Sequence, residues 1–299
     1  MVTLVIGGSG LVGYEFYRQS AGQEGWHFTY RSKKMDGFRQ LDATDADAAS
    51  AIIAELQPDV VIVPAAMAHV NRCETEPEMA RLNNVGLIEN VIAPMKKLGK
   101  GKLVFFSTDY LFDGRDGPYP EDAPFNPLNA YGRLKLDCEK AIAGSGLEHI
   151  IARTTGVFGW EMQRKNFLYR VMDTLSEGRE LVIPEDQYAT PTYVKDLVSA
   201  VNSLLEKGEG GVFNVSGPDY LNRVELASKM ADAFSLDKSR IVGMPTSSFN
   251  NLAPRPLKAG LRIDKLTALG IMMRGVDESL EDMKRRKEED DRYPLAEGQ

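Results

Sequence analysis

Cysteine is scarce in this 299-residue chain: there are two, Cys73 and Cys138, in unrelated contexts. That excludes a disulfide framework and fits reduced thiols. The three histidines, His27, His69 and His149, are scattered. With no Cys or His cluster at ligand spacing, no catalytic metal is expected. No apolar run reaches the ~18 residues that would span a bilayer, so no membrane role is expected. Basic residues are not in excess: 36 Lys and Arg stand against 43 Asp and Glu, a net charge of −7. A general nucleic-acid binder would show a basic face, so that class is excluded, while a local basic patch for one phosphate is still allowed. MVTLVIGG runs straight into a strand-like segment without a charged leader, so no signal peptide is expected and a cytoplasmic location is.

A hydrophobic content of 43% is enough for a globular core. The first half alternates strand and helix. Strands are expected at 2–7, 26–30, 58–66, 101–109 and 148–154, and helices at 11–20, 42–57, 77–99 and 130–146. Thr44 and Asp45 are candidate caps for the second helix, while Gly86 and Pro94 interrupt the pattern of the third. Strands without polar alternation, separated by helices, predict a doubly wound parallel α/β Rossmann sheet covered on both faces. After Thr154 the rhythm loosens. Helices are expected at 163–177, 193–206 and 222–234, with short strands near 180–183 and 212–215 and a Pro, Ser and Asn-rich loop over 243–260. Residues 1–155 with about 190–216 form the expected dinucleotide domain. Residues 156–189 and 217–285 form a smaller α/β substrate lobe, and 286–299 a charged tail. The stretch MKRRKEEDDRYPLAEGQ reads as a solvated helix end running into that tail.

GGSGLVG (7–13) follows the first strand and opens the first helix. Gly7, Gly10 and Gly13 let the backbone turn tightly and let a pyrophosphate approach the amides, and the helix N-terminus supplies donors and a positive dipole end. The second strand ends in YRSKK (30–34). An NAD-binding domain places a carboxylate there; Arg31 and Ser32, followed by two lysines, suit a 2′-phosphate instead. NADP is the expected cofactor, with NAD still allowed. Asp42 and Ala43 are placed to meet the adenine edge. Small residues in PAAM (64–67) suit a backbone lying close to a cofactor. FFSTD closes the fourth strand with Ser107, Thr108 and Asp109, at the end of the sheet where such folds bind ligands.

Tyr-x-x-x-Lys occurs twice, as Tyr30–Lys34 and as Tyr131–Lys135, about as often as chance allows. Tyr30 ends a strand and Lys34 lies in a turn, so those two need not face one another. Tyr131 and Lys135 lie one turn apart on one helix face. A tyrosine pKa near 10 is too high for easy exchange at neutral pH, and lowering it by about three units takes roughly 4 kcal/mol. One ammonium at about 4 Å supplies about that much at an effective dielectric near 20. The pair reads as a proton donor tuned by a cation, with Thr108 giving a second hydrogen bond to the carbonyl oxygen being reduced.

Together the glycine loop, LDATD, AAMAHVNRCETEP, NNVG, STDYLFDG, NAYGRLKLDCE, ARTTGVFG, KNF, ATPTYVKDLVSAV and APRPLKAGLRIDKL resemble, over nearly the whole chain, the extended short-chain dehydrogenase/reductases. Within them the chain is most similar to the dTDP-4-dehydrorhamnose reductase-like family, which also contains the NADP-binding regulatory β subunit of methionine adenosyltransferase. The resemblance implies a catalytic set of Thr108, Tyr131 and Lys135. It implies cofactor contacts from Gly7, Gly10, Leu11, Val12, Gly13, Asp42, Ala43, Ala65, Ala66, Met67, Asn84 and Val157. It also implies a nucleotide-sugar as substrate partner, with Arg255 a candidate diphosphate contact. His69 and Asp109 are further candidate substrate contacts. Leu11 and Gly156 stand where the rhamnose-pathway enzymes usually carry glutamine and tryptophan, so the sugar is not implied.

Three functional readings follow. One is an NADP-dependent reductase of a nucleotide-linked 4-keto-sugar. A second is a regulatory subunit that holds NADP without turnover. A third is a nucleotide-sugar epimerase or dehydratase, which would need tightly held NAD and an extra acid–base pair. A homodimer is allowed by all three.

Overall fold

The computed structural model describes residues 1–289. Seven strands form one sheet: β1 (Thr3–Val5), β2 (Trp26–Tyr30), β3 (Arg39–Gln40), β4 (Val60–Val63), β5 (Lys102–Thr108), β6 (Glu148–Thr154) and β9 (Gly211–Asn214). Their order is β3-β2-β1-β4-β5-β6-β9, with every neighbouring pair parallel. This is the doubly wound Rossmann order, extended by one strand, with its switch point between β1 and β4. Helices α1 (Leu11–Gln19) and α8 (Val194–Glu206) cover one face. Helices α2 (Ala46–Leu56), α5 (Leu87–Leu98) and α6 (Ala130–Ala143) cover the other.

Period-two alternation assigns the strand residues to these two layers. Val5 packs with Phe16, Leu197 and Val201 on the α1/α8 side. Leu4 and Ile6 pack with Ile52, Val91 and Ile142 on the other. Because both faces are covered, all four residues of β4 are buried and no polar residue interrupts it.

Asp45 caps α2, accepting from the amides of Asp47 and Ala48 at 2.9 and 3.1 Å. Thr44 instead donates to Asp42, two residues back. The long helix expected over 77–99 is present in pieces. Helix α4 (Pro77–Arg81) passes through a π-helical turn, Leu82–Gly86, into α5, which keeps Pro94 inside it and stops at Gly99 with φ +71°. A short helix, α3 (Val70–Thr75), precedes them.

Most of the remaining elements build a second core: α7 (Phe167–Ser176), β7 (Leu181–Pro184), β8 (Tyr188–Ala189), β10 (Leu221–Asn222), α9 (Arg223–Ala233), β11 (Ile241–Met244) and α11 (Val276–Glu289), whereas α10 (Asp264–Ala268), expected in the substrate lobe, packs its buried Leu266 into the core of the seven-stranded sheet. β7 pairs with β11 in parallel, and β8 pairs with β10 antiparallel. The expected 163–177 helix starts four residues late. Buried Glu161 folds the preceding segment into a loop by accepting from the amides of Lys165 and Asn166 at 2.8 and 2.7 Å. The loop expected from residue 243 begins inside β11.

The charged C-terminal stretch is not all solvated. Met283 is fully buried, Asp282 and Arg286 nearly so, and α11 packs into the core of the second lobe. Residues 290–299 of the expected tail lie outside the described residues. No described helix is long and apolar enough to cross a membrane.

Candidate active site

The glycine loop closes β1 onto α1. Gly7 has φ +99°, and a Cβ there would stand 2.9 Å from the Ala65 Cβ; a Cβ on Gly13 would stand 2.3 Å from the Gly7 carbonyl oxygen. Both positions therefore require glycine. Over Gly10 the space is open, the nearest atom to an added Cβ being the Gly7 oxygen at 3.6 Å. Gly10 caps α1 without a side chain, so first-turn amides are left for an anion. Leu11 and Val12, the first two residues of α1, pack against the lobe cores. This cradle fits a dinucleotide pyrophosphate.

At the end of β2, Arg31 and Ser32 are exposed, and Arg31 donates to the Asn83 side chain in the π turn. Asp42 follows β3. Against a burial cost, the Thr44 hydroxyl and amide and then the charge of Arg31 hold its carboxyl below the usual range. Ala43 is buried, and its carbonyl accepts from Asn90 at 3.1 Å. Ala65, Ala66 and Met67 line the exit of β4, where Ala65 N donates to the Ile6 carbonyl at 3.3 Å.

Asn84 and Ser107 each hide a side-chain oxygen with no partner, Asn84 Oδ1 and Ser107 Oγ. Asn84 Nδ2 is used, donating to the Ala80 and Met67 carbonyls at 2.8 and 3.3 Å. Orphaned buried acceptors are costly, so these two, at the ends of the sheet where the glycine loop also lies, fit a site that a polar cofactor completes.

The ends of β5 and β6 and the first turns of α6 meet at a cavity of about 310 Å³. Ser107, Thr108, Asp109, Tyr131 and Val157 line it, so five residues expected at the site converge there. Asn129 starts α6 by accepting from the Gly132 amide at 2.9 Å, and Gly132 lets the helix lie against the Tyr110 carbonyl, 2.2 Å from where a Cβ would be. The Tyr110 and Tyr131 rings meet edge to face at 5.8 Å. Burial pushes the Tyr131 phenol well above its ordinary value, Thr108 opposing and Asp109 adding to the rise. The phenol is therefore neutral at physiological pH.

Lys135 does not lead that balance. Its ammonium donates to the Phe106 carbonyl at 2.8 Å and lies 4.4 Å from the Phe105 ring centre. Burial lowers its own pKa. Desolvation of the phenol leads its shift, and the Phe106 carbonyl and the Phe105 ring hold the Lys135 cation.

His69 and Arg255 are not among the cavity-lining residues. His69 is exposed and caps α3, its Nδ1 accepting from Arg72 N at 3.3 Å. Arg255 lies one residue from the lining Pro256 and donates to Asn71 Oδ1 at 2.8 Å and the Ala253 carbonyl at 2.7 Å.

A cation that sequence reasoning missed does line the cavity. Arg223 donates to Gln187 at 2.9 Å, and its guanidinium lies 5.5 Å from the Phe167 ring centre. Arg170 and Arg255 both feel its charge, and burial lowers the pKa of each. Their hydrogen bonds run to neutral groups, Gln187, Tyr110, Asn71 and the carbonyls of Ala253 and Val182, while the Glu74 carboxylate acts on Arg255 through its charge. Three coupled guanidiniums on neutral partners suit an anion. Arg223 had one sequence signal: it opens α9, where a cation faces the positive end of the helix dipole without benefit to the fold.

The family model described as RmlD substrate binding domain matches residues 1–288. The chain belongs to this family. Among relatives of this RmlD-family protein, the rat methionine adenosyltransferase 2 subunit beta is 32% identical over 292 residues, covering 93% of this chain and 86% of that protein. The solved dTDP-4-dehydrorhamnose reductase from Clostridium acetobutylicum superposes with a TM-score of 0.87 at 27% identity, covering 96% of this chain and 100% of that one. The Bacillus anthracis reductase of the same name, solved in complex with NADP, gives 0.86 at 26%, with 96% and 100% covered.

Proposed function

We propose that the protein is an NADP(H)-dependent reductase of a nucleotide-linked 4-keto-sugar. The observation that carries this reading is the wall of the cavity: a neutral, desolvated phenol, Tyr131, beside the Thr108 hydroxyl, with Arg223 on the opposite lobe. The cradle of Gly7, Gly10 and Gly13, the cation at Arg31 and the orphaned acceptors of Asn84 and Ser107 fit NADP along one edge of the sheet. When bound there, the nicotinamide supplies hydride. Tyr131 holds the proton that the carbonyl oxygen takes up. Thr108 orients that oxygen, and Lys135 anchors the floor of the site through Phe106. The guanidiniums of Arg223, Arg170 and Arg255 neutralise a diphosphate, leaving the sugar in the cavity.

The dehydratase and epimerase readings need a second acid or base free to act. Asp109, the neighbouring carboxyl, is buried and tied to Thr108 and to the Gly260 amide. The regulatory reading has one specific observation in its favour, the 32% identity to a methionine adenosyltransferase β subunit. The experiment is NADPH oxidation with a dTDP-4-keto-6-deoxy-sugar generated in situ, wild type beside Tyr131→Phe. Turnover that falls ~10²–10⁴-fold in the variant, with NADPH affinity kept, supports the reductase. Tight NADPH binding without turnover of any keto-sugar favours the regulatory reading.

A further inference from the structure

Asp109 is 1% exposed, yet among the described residues it forms no ion pair. Its Oδ2 accepts from Gly260 N at 3.2 Å, its Oδ1 lies 3.3 Å from Thr108 Oγ1, and the Thr155 hydroxyl and the Asp109 amide reach the same carboxyl. The titratable groups that face it are three phenols: Tyr110 next in the chain, Tyr131 from α6, and Tyr220 from the segment before β10. The cations Arg223 and Arg255 act on Tyr110 instead. Burial pushes the Asp109 carboxyl up, as expected of a desolvated acid without a counter-ion.

The hydrogen-bonding capacity of Thr108 makes the state of Asp109 matter. A threonine hydroxyl has one hydrogen and two acceptor sites. The Tyr110 amide occupies one acceptor site, at 3.2 Å. A charged Asp109 would draw the single hydrogen to itself. Thr108 could then only accept from Tyr131, and the Tyr131 proton would point away from the cavity. A neutral Asp109 reverses the chain of bonds. It donates to the second acceptor site, still accepts from Gly260 on its other oxygen, and leaves the Thr108 hydrogen facing the phenol.

We propose that Asp109 is a positioning residue held as the neutral acid, donating to Thr108 and so turning the Thr108 hydrogen toward Tyr131 and the cavity. Its kinetic consequence rests on the reductase reading; its protonation state does not. Two measurements test it. Infrared difference spectra of wild type against Asp109→Asn in D₂O are expected to show a protonated-carboxyl band at pH 7. A carboxylate signature there would overturn the proposal. In the NADPH assay, wild-type kcat is expected to fall with rising pH in a limb below that of the Tyr131 phenol. The D109N protein is expected to lose about tenfold in kcat, roughly one hydrogen bond, and to lack that limb, because its amide stays a donor at every pH. A purely packing role would leave the limb in place, and that result would also overturn the proposal. Absence of turnover in wild type would count against the reductase reading, with the infrared band still deciding Asp109.

Discussion

Arg286, on α11, donates from one guanidinium nitrogen to both carboxylate oxygens of Glu15 on α1, at 3.1 and 2.9 Å, with side chains 10% and 3% exposed. The same guanidinium donates to the Tyr193 hydroxyl at 3.0 Å. Because α1 begins at the glycine loop, this bond ties the C-terminal helix to the element that opens at that loop.

Removing one partner should leave a buried charge uncompensated. Arg286→Met or Glu15→Met alone is expected to destabilise by about 3–5 kcal/mol, and the double substitution to recover most of that. Urea unfolding midpoints measure it. A double variant as unstable as the sum of the singles would show that the two groups act independently.

Asp282 gives a pH dependence. Its burial is outweighed by hydrogen bonds from Lys195 and Tyr193 and by the charge of Arg274, which hold the carboxyl far below its ordinary value. A depressed folded-state pKa adds stability above the unfolded value, near 3.9, and that stability is lost as pH falls toward the folded one. The melting temperature of wild type should therefore drop below about pH 4 more steeply than that of Asp282→Asn, which should start lower at pH 7. Parallel curves for the two proteins would rule this out.

In the proposed function Arg31 is the cation that meets the 2′-phosphate. Arg31→Ala is expected to raise the KM for NADPH about ten- to a hundredfold, the loss of one or two charged hydrogen bonds, and to leave the KM for NADH nearly unchanged. Equal effects on both cofactors would place the 2′-phosphate elsewhere.

Local chemistry made much of this legible. The covered strands read as apolar runs, and Gly7 and Gly13 marked a turn whose geometry tolerates no side chain. The Asn222–Glu225 capping box opened α9 where the sequence placed a helix. The four-residue spacing of Tyr131 and Lys135 put both on one helix face. Such features depend on contacts between residues near in the chain, which backbone geometry alone relates.

Other features were decided only when distant segments met. Lys135 shares a face with Tyr131, but the Phe106 carbonyl and the Phe105 ring, on β5, hold its ammonium. Arg286 sits in a run of charges and is buried, since Glu15, 271 residues earlier, comes to lie beside it. The sequence by itself determined the Rossmann sheet, the glycine turn and the candidate tyrosine, through periodicity and through the sterics of glycine. Only the tertiary structure decided which charges are desolvated and which partners they meet, because burial and Coulombic contact depend on distances in space that the order of residues does not contain.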